Sequence, residues 1–302
     1  MCAAPSAVVV FYDVSRGVAC AVGVLPAVIV GVSATRRRRL GVIVVGATAG
    51  ASILLGSAMA GWPWLAVTGI FLLAVLTAEL ARRRPAGRLA LMLALPLVGV
   101  GLSFEGEVRS ALGLAVIMTV GAVYAWAVSL IWPERSAALP TAEGAIPGHG
   151  YGLCLGLAGG TAAALGFALE LDHLGWPCAA ALLVMRPSSE MTQLRSLGRV
   201  ASVVVGAATA VAFVEQAPRA IAYALAVVVV VTGAAATRTS RWYVTSAFTT
   251  FLVIVLLGQS DAGAAVQGFD QRVGETILGV GLAYLFGVAV PTIAGQRSTG
   301  CA

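Results

Sequence analysis

The sequence predicts an all-α, polytopic membrane helix bundle of about eleven transmembrane helices, arranged as two parallel tandem repeats. Three observations predict it. Of 302 residues, 59% are hydrophobic and only 11% are charged, against roughly 25% charged in soluble domains. The mean hydropathy is +0.95, and apolar runs of bilayer length, roughly 17 to 25 residues, recur along nearly the whole chain. Short matching strings also recur at one fixed offset.

The candidate crossings in chain order are 17–33, 40–60, 62–80, 88–104 and 110–131, then 152–170, 174–186, 199–215, 218–236, 242–258 and 272–294. Residues 1–135 form a first, degenerate repeat and 151–295 a second, with 136–150 as a cytoplasmic linker and 296–302 as a tail. The linker region, WPERSAALPTAEGAIPGHG, carries prolines, glycines and charges that cannot lie in hydrocarbon as regular helix. The repeat rests on VVGATA (44–49) against VVGAAT (204–209) and VGAVY (120–124) against VGLAY (280–284), each pair offset by 160. The same offset lays Arg39 over Arg199. The second half opens with two apolar segments before its basic loop and the first half with one, so the first half is expected to lack a short helix. An odd count would place the N-terminus outside, unless Pro26 breaks the first segment into a re-entrant hairpin.

Orientation follows from arginine, since all nineteen basic residues are arginine. Arg36, Arg37, Arg38 and Arg39, then Arg82, Arg83, Arg84, Arg88, Arg135, Arg186, Arg195, Arg199, Arg238, Arg241 and Arg297 thread to one side, leaving Arg16, Arg109, Arg219 and Arg272 opposite. By the positive-inside rule the first side is cytoplasmic. The opposite side collects Glu105, Glu107, Glu170, Asp172, Glu215, Asp261 and Asp270. Matching segments then cross in the same direction, so the repeat is parallel. The RRRR run at 36–39 is one of a series of arginine-bearing loops, which makes it a topology marker and sets nucleic-acid binding aside.

No segment carries catalytic equipment. There is no Walker-type phosphate loop, no histidine-rich metal cluster and no G-x-S-x-G elbow, and both histidines, His149 and His173, fall in connections. The expectation is therefore no enzyme, no cofactor and no metal, with any transport gradient-driven or passive. Cys2, Cys20, Cys154, Cys178 and Cys301 stand singly and read as small apolar residues. MCAAPSAVVVFYD has no basic residue ahead of its apolar run, so a cleaved signal peptide is not expected.

Three stretches hold the candidate residues. In LGWPCAAALLVMRPSSEMTQLRSLGRVASVVVGA (174–207), a short apolar segment opens with Trp176 and Pro177 and ends at Arg186 and Pro187, with Arg195 and Arg199 at the mouth of the next helix. These are either interfacial anchors or the end of a half-length helix whose guanidinium groups meet an anion in the interior. In RWYVTSAFTTFLVIVLLG (241–258), Thr245 and Thr249 share one face and Ser246 and Thr250 a neighbouring one. Such hydroxyls either bond back to their own helix or line a path. In FDQRVGETILGVGLAYLFG (269–287), Arg272 and Glu275 lie i,i+3 apart at the expected outer end of the last crossing.

Taken in order, the W-P to R-P segment with R-x-x-G-R (Arg195, Gly198, Arg199), the R-W-Y start (Arg241, Tyr243) and R-x-x-E-T-x-x-G (Arg272, Glu275, Thr276, Gly279) resemble the fusaric acid resistance and aromatic acid exporter superfamily. That superfamily is related in architecture to plant aluminium-activated malate channels. The resemblance covers the second half well and the first weakly. It departs at Arg186 and Glu275, where family members often carry Gln and Asp, and in showing no cytoplasmic domain. It implies a bacterial plasma-membrane exporter of small organic anions, aromatic ones included, with the C-terminus cytoplasmic and a homo-oligomer open. Arg186, Pro187, Arg195 and Arg199 would form the cytoplasmic entry and Trp176 and Tyr243 would meet an aromatic ring. Thr245 and Thr249 would line the path, and Arg272 with Glu275 would form an outer gate. The alternative is a non-transporting membrane scaffold or a partner subunit of an envelope complex.

Overall fold

The computed structural model describes residues 3–84, 87–88, 90–134, 148, 150–237, 244–259 and 262–292. Tyr243 and most of the linker lie outside them, as do Arg135, Arg238, Arg241, Arg297, Asp261, His149, Cys2 and Cys301. Every regular element among the described residues is helical. They are α1 (Ala4–Val10), α2 (Val14–Val30), α3 (Arg36–Ala60), α4 (Pro63–Arg83), α5 (Ala90–Phe104), α6 (Val108–Ser129), α7 (Tyr151–Ala168), α8 (Gly175–Val184), α9 (Ser189–Glu215), α10 (Ala220–Thr237), α11 (Val244–Leu257) and α12 (Gly263–Thr292). Seven of these, α3, α4, α6, α7, α9, α10 and α12, are long and apolar enough to cross a bilayer; α2, α5, α8 and α11 are shorter apolar helices.

Large apolar side chains are exposed at helical spacing, as with Leu65, Leu72, Leu76 and Leu80 on α4 and Ile221, Leu225 and Val229 on α10. In water such stripes would aggregate. In lipid they cost nothing, and the chain is a multi-pass helical membrane protein.

Most helix ends fall within a few residues of the hydropathy edges, and two do not. The helix expected from 199 begins at Ser189, and the one expected from 272 begins at Gly263. Hydropathy marks membrane depth, whereas a helix begins where its first N–H groups find acceptors. The Ser188 hydroxyl accepts from the Met191 N–H at 3.3 Å, and Glu190 sits in the positive first turn of α9. Pro26 lies inside α2, which continues to Val30 and ends at Gly31, whose φ of 71° admits no ordinary side chain. Pro26 therefore makes no hairpin. The first half does open with a short helix, the seven-residue α1, and Gly17 of α2 packs directly on Val10.

The helices form two compact units, each drawing on both sequence halves. The first comprises Met1–Ala51, Leu112–Thr141 and Ala201–Val273, the second Ser52–Ala111, Ala142–Val200 and Gly274–Ala302. In the first, α3 and α6 run antiparallel at close range. A Cβ on Gly46 would strike Ala122 and the Met118 carbonyl, and one on Gly50 would strike Ala115. One heptad above Gly46, on the same face, Arg39 is 1% exposed. Its guanidinium donates through Nη1 to the carbonyls of Ser129 (2.5 Å) and Trp132 (2.8 Å), through Nη2 to Pro133 (3.0 Å) and through Nε to Ser33 (3.0 Å). The last carbonyls of a helix lack intrahelical donors and carry partial negative charge, so Arg39 caps the C-terminus of α6. Glu134, just beyond α6, accepts the Arg36 N–H at 2.7 Å and caps the start of α3 in return. The last arginine of the run is thus a structural fastener.

In the second unit, α8 is buried along nearly its whole length. At ten residues it is about 15 Å long, half the thickness of a bilayer core. Glycines let three helices close on it. Gly159 and Gly166 of α7 meet Leu182 and Leu174, Gly99 of α5 meets Ala179, and Gly279 and Gly287 of α12 meet Pro177 and Met185. These pairings make α5 and α7 antiparallel to α8 and α12 parallel to it. Outside this layer, Ala66, Ile70, Ala74, Ala78 and Ala81 of α4 form a buried, alanine-rich stripe. Gly152, Gly156 and Gly160 of α7 press on the same helix at Val75, Phe71 and Val67.

Candidate functional site

The two ends of α8 carry different chemistry. At its C-terminus the last carbonyl, Met185 O, accepts from the Tyr151 hydroxyl at 3.1 Å and from Arg186 Nη1 at 2.9 Å. The R-P turn that follows is tied down by Thr192. Its hydroxyl accepts the Arg186 N–H at 3.0 Å and sits 3.1 Å from the carbonyls of both Arg186 and Ser188. Pro187 is at the exposed bend and supplies no N–H, which suits a position where the chain leaves one helix and starts another. The backbone of Arg186 is therefore fixed, and its side chain turns inward, 9% exposed. The guanidinium also bonds the Tyr151 phenol, while its buried Nε has no acceptor among the described residues.

The first three turns of α9 present a stripe of Thr192, Arg195, Ser196 and Arg199 at i, i+3, i+4 and i+7. Thr192, Ser196 and Arg199 are buried and Arg195 is half-buried. Ser196 spends its hydroxyl on the Thr192 carbonyl at 2.8 Å. Arg195 lies within electrostatic reach of both Arg186 and Tyr151. Arg199 does not stand at a helix mouth: α9 starts at Ser189, so Arg199 is about 15 Å along it. Surface anchors of the snorkelling kind stay exposed, and the burial of Arg186 and Arg199 does not fit that reading. Guanidinium groups on an inward face of a membrane helix are expensive and mark pathways by default. Their planar forks match carboxylates in two-point contact.

At the N-terminus of α8, Trp176 is 7% exposed and stacks on His173 with ring centroids 3.8 Å apart. The Gly175 N–H donates to the Ser103 hydroxyl at 3.0 Å. Continued one turn back from Gly279, the register of α12 puts buried Glu275 and Thr276 level with this end. Trp176 and Arg186 are consequently about 15 Å apart along the helix, too far to hold one small aromatic anion together.

Two expectations change. Arg272 and Glu275 are not at a helix end, because α12 begins at Gly263 and both lie in its interior, Arg272 half-buried and Glu275 buried. In the first unit, the inward face of α11 carries Ser246 and Thr250, while Thr245 and Thr249 are only half-buried. The Thr249 hydroxyl donates back to the Ser246 carbonyl at 3.0 Å, the self-bonding alternative. Tyr243 lies outside the described residues. Sequence reasoning missed Tyr151, Thr192 and Ser196. The helical spacing of Thr192 and Ser196 from Arg199 was available as a signal; Tyr151 reaches Met185 across 34 residues and left none.

Residues 161–290 match the family model described as fusaric acid resistance protein-like. No curated protein and no solved structure matches the chain. The matched segment runs from within α7 to within α12 and contains α8, the Arg186 turn and the arginine stripe of α9. Over residues 161–290 the chain is similar to the fusaric acid resistance protein-like family.

Proposed function

We propose that the chain is a bacterial plasma-membrane transporter that exports small organic anions, aromatic ones included. The observation that carries this reading is Arg186: a guanidinium buried at the end of a half-length helix, its backbone clamped by Thr192, with Arg195 in electrostatic reach. The family match over the same segment supports a membrane transport or resistance role. An anion entering at the arginine-rich side docks at Arg186 beside Arg195 and then meets Arg199, about 15 Å along α9. It then passes along α8 toward Trp176, Thr276 and Glu275. Arg186 binds the carboxylate, Tyr151 and Thr192 hold Arg186, and Trp176 offers an aromatic contact at the far end, so the groups act in sequence. Arg272 with Glu275 governs the outer part of the route. On the tandem-repeat reading, the offset of 160 lays α1 on the end of α7 and α2 on α8.

The test is retention of a panel of hydroxylated benzoates in cells expressing wild type, Arg186→Met or Arg199→Met. Wild type lowers retention of at least one acid. Each variant loses roughly 10-fold or more of that effect, since a charge-assisted hydrogen bond is worth about 1.5 to 3 kcal/mol. Retention unchanged by wild type for every acid overturns the reading in favour of a scaffold.

A further inference from the structure

The first unit encloses a cavity of about 390 Å³ between α2, α3, α6 and α10, with Val28, Val32, Arg39, Val128, Trp132 and Val231 in its wall. That volume is in the range of pockets that hold small ligands, roughly 300 to 1,000 Å³. The wall is apolar apart from a few groups, and the charged one is already committed: Arg39 holds four carbonyls. A carboxylate or phosphate inside would have to strip the cap from α6. The space suits an apolar chain, and the charge of its owner must lie outside.

Outside, the sequence supplies the complement. Arg36, Arg37 and Arg38 are exposed on the turn that leads to Arg39. A smaller hollow of about 130 Å³, lined by Val32, Ser33, Ala34, Arg39, Trp132 and Pro133, shares a wall with the cavity on this side. Val32 is 56% exposed and Trp132 36%, so the cavity opens where an indole sits beside arginines, the residue pair of a membrane interface. The acidic group at hand, Glu134, is engaged with the Arg36 N–H.

We propose that this is a binding site for an anionic phospholipid of the cytoplasmic leaflet, with one acyl chain in the cavity and the phosphate on Arg36, Arg37 and Arg38. Basic residues next to a spanning helix attract anionic lipid by roughly a factor of five each. Three together favour an anionic over a zwitterionic lipid by a factor on the order of 100.

The experiment is native mass spectrometry of the full chain in detergent, titrated with phosphatidylglycerol or phosphatidylcholine of matched chains. Wild type retains phosphatidylglycerol well above phosphatidylcholine. The combined Arg36→Gln, Arg37→Gln, Arg38→Gln variant binds phosphatidylglycerol on the order of 100-fold more weakly, level with phosphatidylcholine, whereas Arg83→Gln with Arg84→Gln changes nothing. Ala235→Trp, at an exposed edge of the cavity, loses both lipids, and Thr232→Phe repeats the test should the first variant not fold. Equal binding of the two lipids by wild type overturns the proposal. So does wild-type lipid retention by the cavity-filling variants, or full displacement of phosphatidylglycerol by inorganic phosphate, which would mark a free-anion site.

Discussion

Replacing Arg39 with alanine removes four hydrogen bonds of 2.5 to 3.0 Å from a side chain that is 1% exposed. Three of the acceptors, the carbonyls of Ser129, Trp132 and Pro133, close the end of α6. A buried acceptor left without a donor costs about 1 to 3 kcal/mol, and a positive charge at a partly buried helix C-terminus contributes up to about 2 kcal/mol. The Ser129 carbonyl is the buried one and keeps the Trp132 N–H at 3.2 Å, so taking the low end once for the lost bonds and about 1 kcal/mol for the charge gives about 2 kcal/mol of destabilisation. Arg37→Ala, on the same turn but exposed, should change stability by less than about 0.5 kcal/mol. Arg39→Lys falls between them, because an ammonium cannot span carbonyls that a planar fork reaches together. Equilibrium unfolding in mixed micelles, comparing the three variants with wild type, measures all of this. If Arg39→Ala unfolds with Arg37→Ala, the reciprocal capping of α3 and α6 is not what holds this end of the first unit.

Thr192→Val keeps the shape of the side chain but removes the acceptor of the Arg186 N–H, so unfolding should be easier by about 1 to 3 kcal/mol and transport slower. Gly279→Ala puts a methyl group 2.1 Å from the Pro177 carbonyl, whereas Gly274→Ala meets nothing within 4 Å. The first should destabilise by about 1 to 3 kcal/mol, and the second should be neutral or slightly stabilising, in the same unfolding assay. Asp13 caps α2 by accepting the Arg16 N–H at 3.1 Å, and its carboxyl is held below the ordinary carboxylate value by the Ser15 hydroxyl and then by that N–H. A lowered value means the cap is complete above the ordinary carboxylate range and is lost as pH falls through the lowered value. Protection of the Arg16 amide, corrected for intrinsic exchange, should follow that course and be absent in Asp13→Ala at every pH.

The sequence was legible where a physical signal is local. Apolar runs set the positions of α3 to α8 closely, and W-P and R-P bracketed the half-length α8 from Trp176 to Pro187. Polarity misled at 189–198 and 263–271, where segments too polar for a hydropathy window still meet the conditions for helix. Burial was illegible for the same reason: Arg39, Arg186 and Arg199 have the composition of anchors, and only the packing around them turns them inward. The clasp between Arg39 and the end of α6 joins residues about 90 positions apart, and Tyr151 finds Met185 across 34. Contacts of that range carry no periodicity to read.

The central claim, that the arginine face of the second unit moves organic anions, is tested most directly by the purified chain in sealed proteoliposomes loaded with the best acid of the panel. Wild type should release the acid faster than empty vesicles. Arg186→Met and Arg199→Met should slow release by roughly 10-fold or more, with unfolding midpoints near wild type. Release at the wild-type rate from both variants, or no release from wild type, would contradict it.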